Sequence, residues 1–351
     1  MSNQIRVGFI GAGANTRGRH LPGFQEINDV ICSVVCNRSR ESSEKVAKEF
    51  NISRIAESWT EVVNDPEIDA ICIGTWPYLH AEITNAALAA NKHVLTEARM
   101  ARNLIEAQSM LEAAKAKPNL VAQIVPGPMT FEFDATIIEL ISKGEIGELR
   151  EVCVTDTGCQ LALSDSPIMW RQDFELSGHN IMGMGIYHEI IHRLIGDEPI
   201  WIIADGAIFT KERNDLQKKE KVRVNIPDCI SILGKYSSGA RMIYHFSGIE
   251  SGQSRVEIRL NGSKASLRLD LKNNVLYRAD LGSDVEEHID ISPEKKGRWQ
   301  VEADFIDSIR NGTPVKLTNF ELGVTYMQFT TAVHESWTNE GKKINIIGNP
   351  Q

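Results

Sequence analysis

Short apolar runs, each cut off by turn residues, dominate the first third of the chain. Ile5-Arg-Val-Gly-Phe-Ile10, Ile31-Cys-Ser-Val-Val-Cys36, Asp69-Ala-Ile-Cys-Ile-Gly74, His93-Val-Leu-Thr96 and Leu120-Val-Ala-Gln-Ile124 read as strands buried on both faces. The stretches between them carry helix start signals. Helices are predicted over Glu41–Phe50, after Ser58-Trp-Thr-Glu61, over Tyr78–Asn91, and from Asn103 to about Lys117. Strands alternating with helices imply a parallel sheet with helices stacked on both faces.

The pattern changes near Pro126-Gly-Pro128. Cys229–Tyr236 and Arg241–Phe246 flank Ser237-Ser-Gly-Ala240, a hairpin signal. Val256, Ile258 and Leu260 alternate with polar residues into Asn261-Gly262, and Ala265, Leu267 and Leu269 lead out. That predicts an antiparallel meander with a tight turn at Asn261-Gly262, closed by helices over Gln300–Arg310 and Glu321–Trp337. The expected fold is α/β, with a doubly wound domain over residues 1–125 and a second domain over 126–351.

Composition removes whole classes of function. A net charge of −9 over 351 residues argues against nucleic acid or an anionic membrane as partner. The 6 cysteines sit mostly inside strand-like runs with no CxxC pair, which suits free thiols in a reducing compartment. No apolar run is long enough to span a bilayer and none resembles a signal segment, so a cytoplasmic location is expected.

The chemistry starts where the first strand stops. Gly11, Gly13 and Ala14 follow it, so the backbone can turn and approach a pyrophosphate held at the next helix N-terminus. The third glycine of the usual fingerprint is absent, with Thr16 in its place. At the end of the second strand, a carboxylate would favour NAD. Asn37, Arg38 and Ser39 stand there instead, which favours NADP over NAD. Other strand ends bring Thr75, Trp76 and His80, Glu97 to Arg99, and Gln123 to the same sheet edge.

These segments together resemble the Gfo/Idh/MocA family of sugar and inositol oxidoreductases. The resemblance rests on Val7-Gly-Phe-Ile-Gly-Ala-Gly13, Thr75-Trp-Pro-Tyr-Leu-His80, Lys92-His-Val-Leu-Thr-Glu97, Ile146-Gly-Glu148, Trp170-Arg171 and Asn261-Gly-Ser-Lys-Ala-Ser-Leu-Arg268. It implies a Rossmann domain, then a domain with a large, open, mainly antiparallel sheet. It also implies a pyranose-type substrate and a homo-oligomer, dimer or tetramer.

The resemblance fails at the reacting centre. Family members commonly carry Glu-Lys-Pro where this chain has Glu97-Ala98-Arg99. Ala98 cannot donate a proton, and the Arg99 guanidinium does not deprotonate usefully. Glu97 is left to orient the nicotinamide end, with Arg99 as a source of charge. The family histidine falls on Tyr187 or His188, depending on one gap, and both are acid–base candidates for taking the proton of an oxidised hydroxyl. His188-Glu-Ile-Ile-His192 also matches the HExxH pattern of zinc peptidases, but it sits where the family already expects a histidine, so no metal is expected. Trp170, Arg171, His179, Asn180 and Gln123 are candidate substrate contacts. Three functions remain open: a dehydrogenase acting on a secondary hydroxyl of a sugar or cyclitol, a redox-neutral glycosidase using the same cofactor, and a non-catalytic cofactor-binding regulator.

Overall fold

The computed structural model describes residues 4–216 and 218–346. The early apolar runs become β1 (Ile5–Ile10), β2 (Val30–Cys36), β3 (Arg54–Ile55), β4 (Ala70–Ile73), β5 (His93–Thr96) and β6 (Ala122–Ile124). They form a six-stranded sheet in the order β3-β2-β1-β4-β5-β6, every neighbouring pair parallel. The order reverses between β1 and β4, where a doubly wound sheet opens a crevice beyond its strand ends.

Local chemistry starts the helices on its faces. Ser39, Ser58 and Asn103 each accept a hydrogen bond from a backbone N–H in the first turn of Arg40–Phe50, Trp59–Asn64 and Leu104–Lys115. Each such cap is worth about 1 kcal/mol. The helix expected from Tyr78 is split into a tight turn, Pro77–Leu79, and a helix over His80–Ala89.

The described residues fall into two compact units. One runs to Pro126 and takes back Gln300–Met327; the other holds Gly127–Trp299 and the chain from Gln328 onward. Sequence position groups both closing helices with the second domain, whereas packing divides them. The helix Val301–Asn311 joins the first unit because Phe305 meets Phe24, which in turn meets Phe9, at ring separations of 6.3 and 5.7 Å. Phe320, Val324 and Met327 lie in a core of the first unit with Ile71, Ile73 and Ile124 of the sheet, so the helix Phe320–Thr338 contributes its first part to one unit and the remainder to the other.

The second unit is built on a nine-stranded sheet. Its strands are β7 (Leu149–Thr157), β8 (Pro199–Ala207), β11 (Cys229–Tyr236), β12 (Arg241–Ser247), β13 (Val256–Gly262), β14 (Ala265–Asp270), β15 (Val275–Asp280), β16 (Glu287–His288) and β17 (Ile344–Asn345), while β9 (Glu212–Asp215) and β10 (Glu220–Arg223) form a separate ribbon. Its neighbouring pairs are antiparallel except β7 with β12. Alternate residues such as Val152, Val154, Ile230, Ile232, Leu267 and Leu269 face a core shared with Ile190, Ile191 and Leu194 of the helix Met184–Ile195.

One turn moves. Asn261 and Gly262 stay within β13, with Asn261 paired to Ser266, and the reversal falls on Ser263-Lys264. Gly262 is needed for close approach instead: a Cβ there would lie 2.0 Å from the Ile146 carbonyl oxygen.

Candidate functional site

The end of β1 meets the end of β4 through two glycines. Gly11 has φ +81°, a conformation that favours glycine, and a Cβ on it would stand 2.7 Å from the Thr75 nitrogen. A Cβ on Gly74 would lie 2.5 Å from the Gly11 carbonyl oxygen. Gly13 differs from both. Its Cβ would meet no protein atom closer than 3.9 Å, so packing within the fold does not require a glycine there. Residues 14–25 then run as a helical segment, wound as a π-helix over Thr16–His20.

Asn37 laces this loop to β2. Its side-chain oxygen accepts from the Ala12 N–H at 2.6 Å, its amide donates to Ser42 Oγ at 2.9 Å, and its own N–H donates to Ser43 Oγ at 2.9 Å. A cleft of about 460 Å³ opens beside it, lined by Gly11, Gly13, Asn37, Arg38, Thr75 and Trp76, among others. That is within the usual size of a small-ligand pocket. The Arg38 guanidinium carbon stands 5.8 Å from the Trp76 ring centroid. Thr75 Oγ1 is buried with no hydrogen-bond partner among the described residues. A bare glycine face, a helix start and an unanswered hydroxyl suit a phosphate-bearing dinucleotide.

The other sheet-edge candidates are placed as follows. Ala14 is exposed at the start of the helical segment. Ser39 caps its helix, accepting from Ser42 N–H at 3.3 Å, and Ser42 lines the cleft. His80 is fully buried and braces the backbone, with Nδ1 at 2.8 Å from the Arg99 carbonyl and Nε2 at 2.9 Å from the Thr75 carbonyl. Burial pulls its pKa down, outweighing those carbonyls. Arg99 is buried. Gln123 is buried too, and its amide donates to the Val301 carbonyl at 3.3 Å, tying β6 to the returning segment.

Glu97 leads to residues that sequence reading missed. Its Oε1 accepts from the Asn15 amide and from His20 Nε2, the latter at 3.0 Å. His20 Nδ1 donates to Glu302 Oε1 at 2.5 Å. His20 has no exposed side-chain surface. Burial alone would lower its pKa, but the hydrogen bonds and charges of Glu302 and Glu97 push it up to about 9. Burial would raise Glu97, but His20 and Asn15 hold it below its ordinary value. Gly23 is glycine because a Cβ would lie 2.6 Å from Glu302 Oε2. The only local signal was a lone histidine beside Leu21 and Phe24, and Glu302 gave none.

In the second unit, the helix Met184–Ile195 carries Tyr187 and His188. The Tyr187 ring packs 5.6 Å from Phe246, and its phenol hydrogen-bonds Asp156 on β7. Burial and the Asp156 charge push that phenol above its ordinary range. Burial also raises the Asp156 carboxyl, outweighing the Tyr187 hydrogen bond. Gly183 leaves room for the pair, since a Cβ there would lie 3.1 Å from the Tyr187 ring and 3.5 Å from Asp156 Oδ2.

His188 is stacked on Phe329 at 3.9 Å, with Nε2 at 2.9 Å from Glu198 Oε2 and Nδ1 buried without a partner among the described residues. His192 Nδ1 reaches the other Glu198 oxygen at 2.5 Å. Burial would raise Glu198, but the two imidazoles hold it down to about 2. Glu189 points elsewhere, accepting from Gly127 N–H at 2.9 Å and Arg193 at 2.6 Å. Both imidazoles of the HExxH pattern therefore meet one carboxylate, and no cluster of three or more metal-ligating side chains occurs among the described residues.

His179 stacks on His334 at 4.2 Å and 7°, with Nδ1 at 3.0 Å from Thr331 Oγ1. Burial lowers both imidazoles, and His334 falls to about 4 with His179 beside it. Asn180 is buried and locked to Ser177, its amide donating to the Ser177 carbonyl at 2.6 Å. Arg171, exposed on a short turn, lies 4.2 Å over the Trp170 ring.

The first unit thus has the build of a dinucleotide-binding domain, and comparison with known proteins agrees. Residues 5–124 match the oxidoreductase family with an NAD-binding Rossmann fold, and residues 135–268 match the GFO/IDH/MocA C-terminal domain. The chain belongs to the Gfo/Idh/MocA oxidoreductase family. It is 29% identical over 153 residues to a levoglucosan dehydrogenase from Pseudarthrobacter phenanthrenivorans, covering 44% of this chain and 39% of that one. A dTDP-3,4-didehydro-2,6-dideoxy-alpha-D-glucose 3-reductase from Saccharopolyspora spinosa is 27% identical over 187 residues, covering 53% of this chain and 54% of that one. The fold likeness is more complete: levoglucosan dehydrogenase in complex with NADH and L-sorbose superposes with a TM-score of 0.83 at 22% identity, over 98% of this chain and 99% of that one. No helix among the described residues is long and apolar enough to cross a membrane.

Proposed function

We propose that this chain is an NAD(P)-dependent oxidoreductase that takes hydride from a secondary hydroxyl of a sugar or cyclitol. The observation that carries the reading is the cleft beside β1, where Gly13 presents bare backbone and Thr75 an unanswered hydroxyl. The bound cofactor would supply the hydride acceptor. Gly11, Gly13 and the helix start hold its pyrophosphate, and Arg38 with Asn37 takes the adenosine end. With no carboxylate on the segment that ends β2, Arg38 favours NADP over NAD.

Oxidising an alcohol releases a proton, and Asp156 with Tyr187 is the pair we assign to it. A carboxyl raised by burial sits nearer to neutral pH and makes a better acceptor. The phenol is held in place by that carboxylate. His188 has its Nε2 committed to Glu198, so we give it a supporting part. Trp170, Arg171 and His179 are proposed substrate contacts.

Ala98 favours a second reading. Without an ammonium there, a redox-neutral glycosidase, in which a transient ketone acidifies the neighbouring C–H for a modest base, fits the same residues. Cys32, Cys36, Cys72, Cys153, Cys159 and Cys229 are free, which fits a reducing, cytoplasmic setting. Leu233 and Ile243, paired and exposed on the outer sheet face, support a homo-oligomer.

One assay with two readouts tests the proposal. Protein is given NADP or NAD with free sugars and aryl glycosides, and nicotinamide absorbance and released aglycone are followed together. Reduced cofactor accumulating on a free sugar is the expected outcome. Aglycone release without net reduction would replace it with the glycosidase, and cofactor binding without either reaction would leave a regulator.

A further inference from the structure

The cleft beside β1 extends beyond the glycine loop to an outer wall that follows β3. That strand pairs with β2 through Val34 with Arg54 and Val35 with Ile55, and the Ala56 N–H still donates to the Val35 carbonyl at 3.1 Å. Glu57, Ser58 and Trp59 therefore leave the sheet at the same edge as Asn37 and Arg38, and all five line the cleft. Trp76 lines it as well, from the segment after β4. Trp59 is half-buried, packed against the core of the first unit. Two indoles in one small cleft offer flat apolar surface of the kind on which a heteroaromatic base stacks.

The polar groups of this wall are not equally available. Asn37 spends its oxygen on the Ala12 N–H and its amide on Ser42 Oγ. Ser58 Oγ accepts from the Glu61 N–H at 3.3 Å and lies 2.7 Å from Thr60 Oγ1. Glu57 differs. Its N–H donates to Glu61 Oε2 at 3.0 Å and its Oε1 meets Arg40 Nη1, while Arg40 Nε also donates to Glu44 Oε1 at 3.1 Å. That leaves Glu57 Oε2 with no hydrogen-bond donor among the described residues, on a side chain 59% exposed. An ionised carboxylate only accepts, so the group it can recognise in a ligand is a donor.

We propose that Glu57 makes this cleft selective for an adenine dinucleotide, its Oε2 accepting from the N6 amino group of the base while Trp59 and Trp76 supply the apolar surface. The proposal rests on the dinucleotide reading of the cleft. Adenine carries a donor at that ring position, whereas guanine and hypoxanthine carry a carbonyl oxygen, which a carboxylate repels. Glu57 therefore acts on a different choice from Arg38. Arg38 bears on the ribose hydroxyl against a phosphate, and Glu57 on one base against another.

The test is calorimetric titration of the full chain with two nucleotide pairs. NADP⁺ is compared with nicotinamide hypoxanthine dinucleotide phosphate, and NAD⁺ with nicotinamide hypoxanthine dinucleotide. Within each pair the phosphates, sugars and nicotinamide are the same, so the ratio of the two Kd values reports on the base alone. The wild type should bind the adenine member about fivefold or more tightly. In Glu57→Ala that ratio should fall to about one. Glu57 is exposed and its pairing with Arg40 is a surface contact, so the variant keeps the fold. Equal affinities in the wild type, or discrimination that survives in Glu57→Ala, would overturn the proposal while the dinucleotide reading stands. Failure of the wild type to bind any of the four nucleotides overturns the dinucleotide reading itself.

Discussion

Two buried histidine clusters, one in each unit, show opposite solutions to the same problem. His20 has both ring nitrogens on carboxylates, Glu97 and Glu302, and is held as an imidazolium. His188 has one nitrogen on Glu198, the other without a partner among the described residues, and its ring face on Phe329. The HExxH spacing drew attention to His188, although its geometry is that of a packed residue sharing one carboxylate with His192. His20 carried no motif, yet it ties the helix after the glycine loop to the end of β5 and to a helix that returns late in the chain. A charged cluster is thus better recognised by what converges on it than by what surrounds it in sequence.

Breaking the two clusters should separate them most. Removing one partner of a buried ion pair leaves an uncompensated charge and costs about 3–5 kcal/mol. Glu302→Ala should therefore lower stability in urea by that amount. Glu198 is less buried, with 29% of its side chain exposed, so Glu198→Ala should cost clearly less. Equal losses would show that the Glu198 cluster is as tightly held as the His20 cluster.

What sequence could and could not reveal follows the same division. The strands, the turn at Gly11 and the caps at Ser58 and Asn103 were legible because their causes lie within a few residues, whereas Ser39, read as a cofactor contact, turned out to cap its helix. The His20–Glu302 bond spans 282 positions, and no local pattern announces it. Gly262 looked like a turn residue because the Ile146 carbonyl that excludes a side chain there is distant in sequence. Asp156 was passed over on a strand whose partner, Tyr187, comes a helix later. The helix Phe320–Thr338 reads as one element, and nothing in its pattern says that its two parts belong to different units.

The glycines sharpen the comparison next. Gly11→Ala forces a side chain into φ +81° and against Thr75, so it should lose both stability and dinucleotide binding. Gly13→Val puts its Cβ no closer than 3.9 Å to another protein atom, so stability should change by less than about 1 kcal/mol while binding falls at least roughly tenfold. Circular dichroism melts with binding titrations would separate the two.

The clusters should also answer pH from opposite sides. His20 is raised from 6.5 to about 9 on folding, so its contribution is complete below pH 6.5 and is lost as pH rises through 9. It amounts to about 3 kcal/mol at most. Glu198 is lowered from 4.5 to about 2, so its contribution is complete above pH 4.5 and is lost as pH falls through 2. Urea midpoints across pH should show the alkaline arm flattened in His20→Gln and the acid arm flattened in Glu198→Gln. Loss of both arms in either variant would contradict the assignment.

The smallest structural effect belongs to Tyr187→Phe. It removes the phenol from Asp156, costing about 1 kcal/mol of stability, while turnover should fall on the order of a hundredfold if the pair handles the proton. Unchanged turnover would move the acid–base work elsewhere.

Trp59 and Trp76 line the cleft, so intrinsic fluorescence reports directly on what enters it. Titrating wild type and Gly13→Val with NADPH and NADH is the most direct test that this edge of the sheet holds a dinucleotide. Saturable quenching in the wild type, lost in a folded Gly13→Val, is the predicted result. No quenching by either nucleotide, or equal quenching in both proteins, would contradict it.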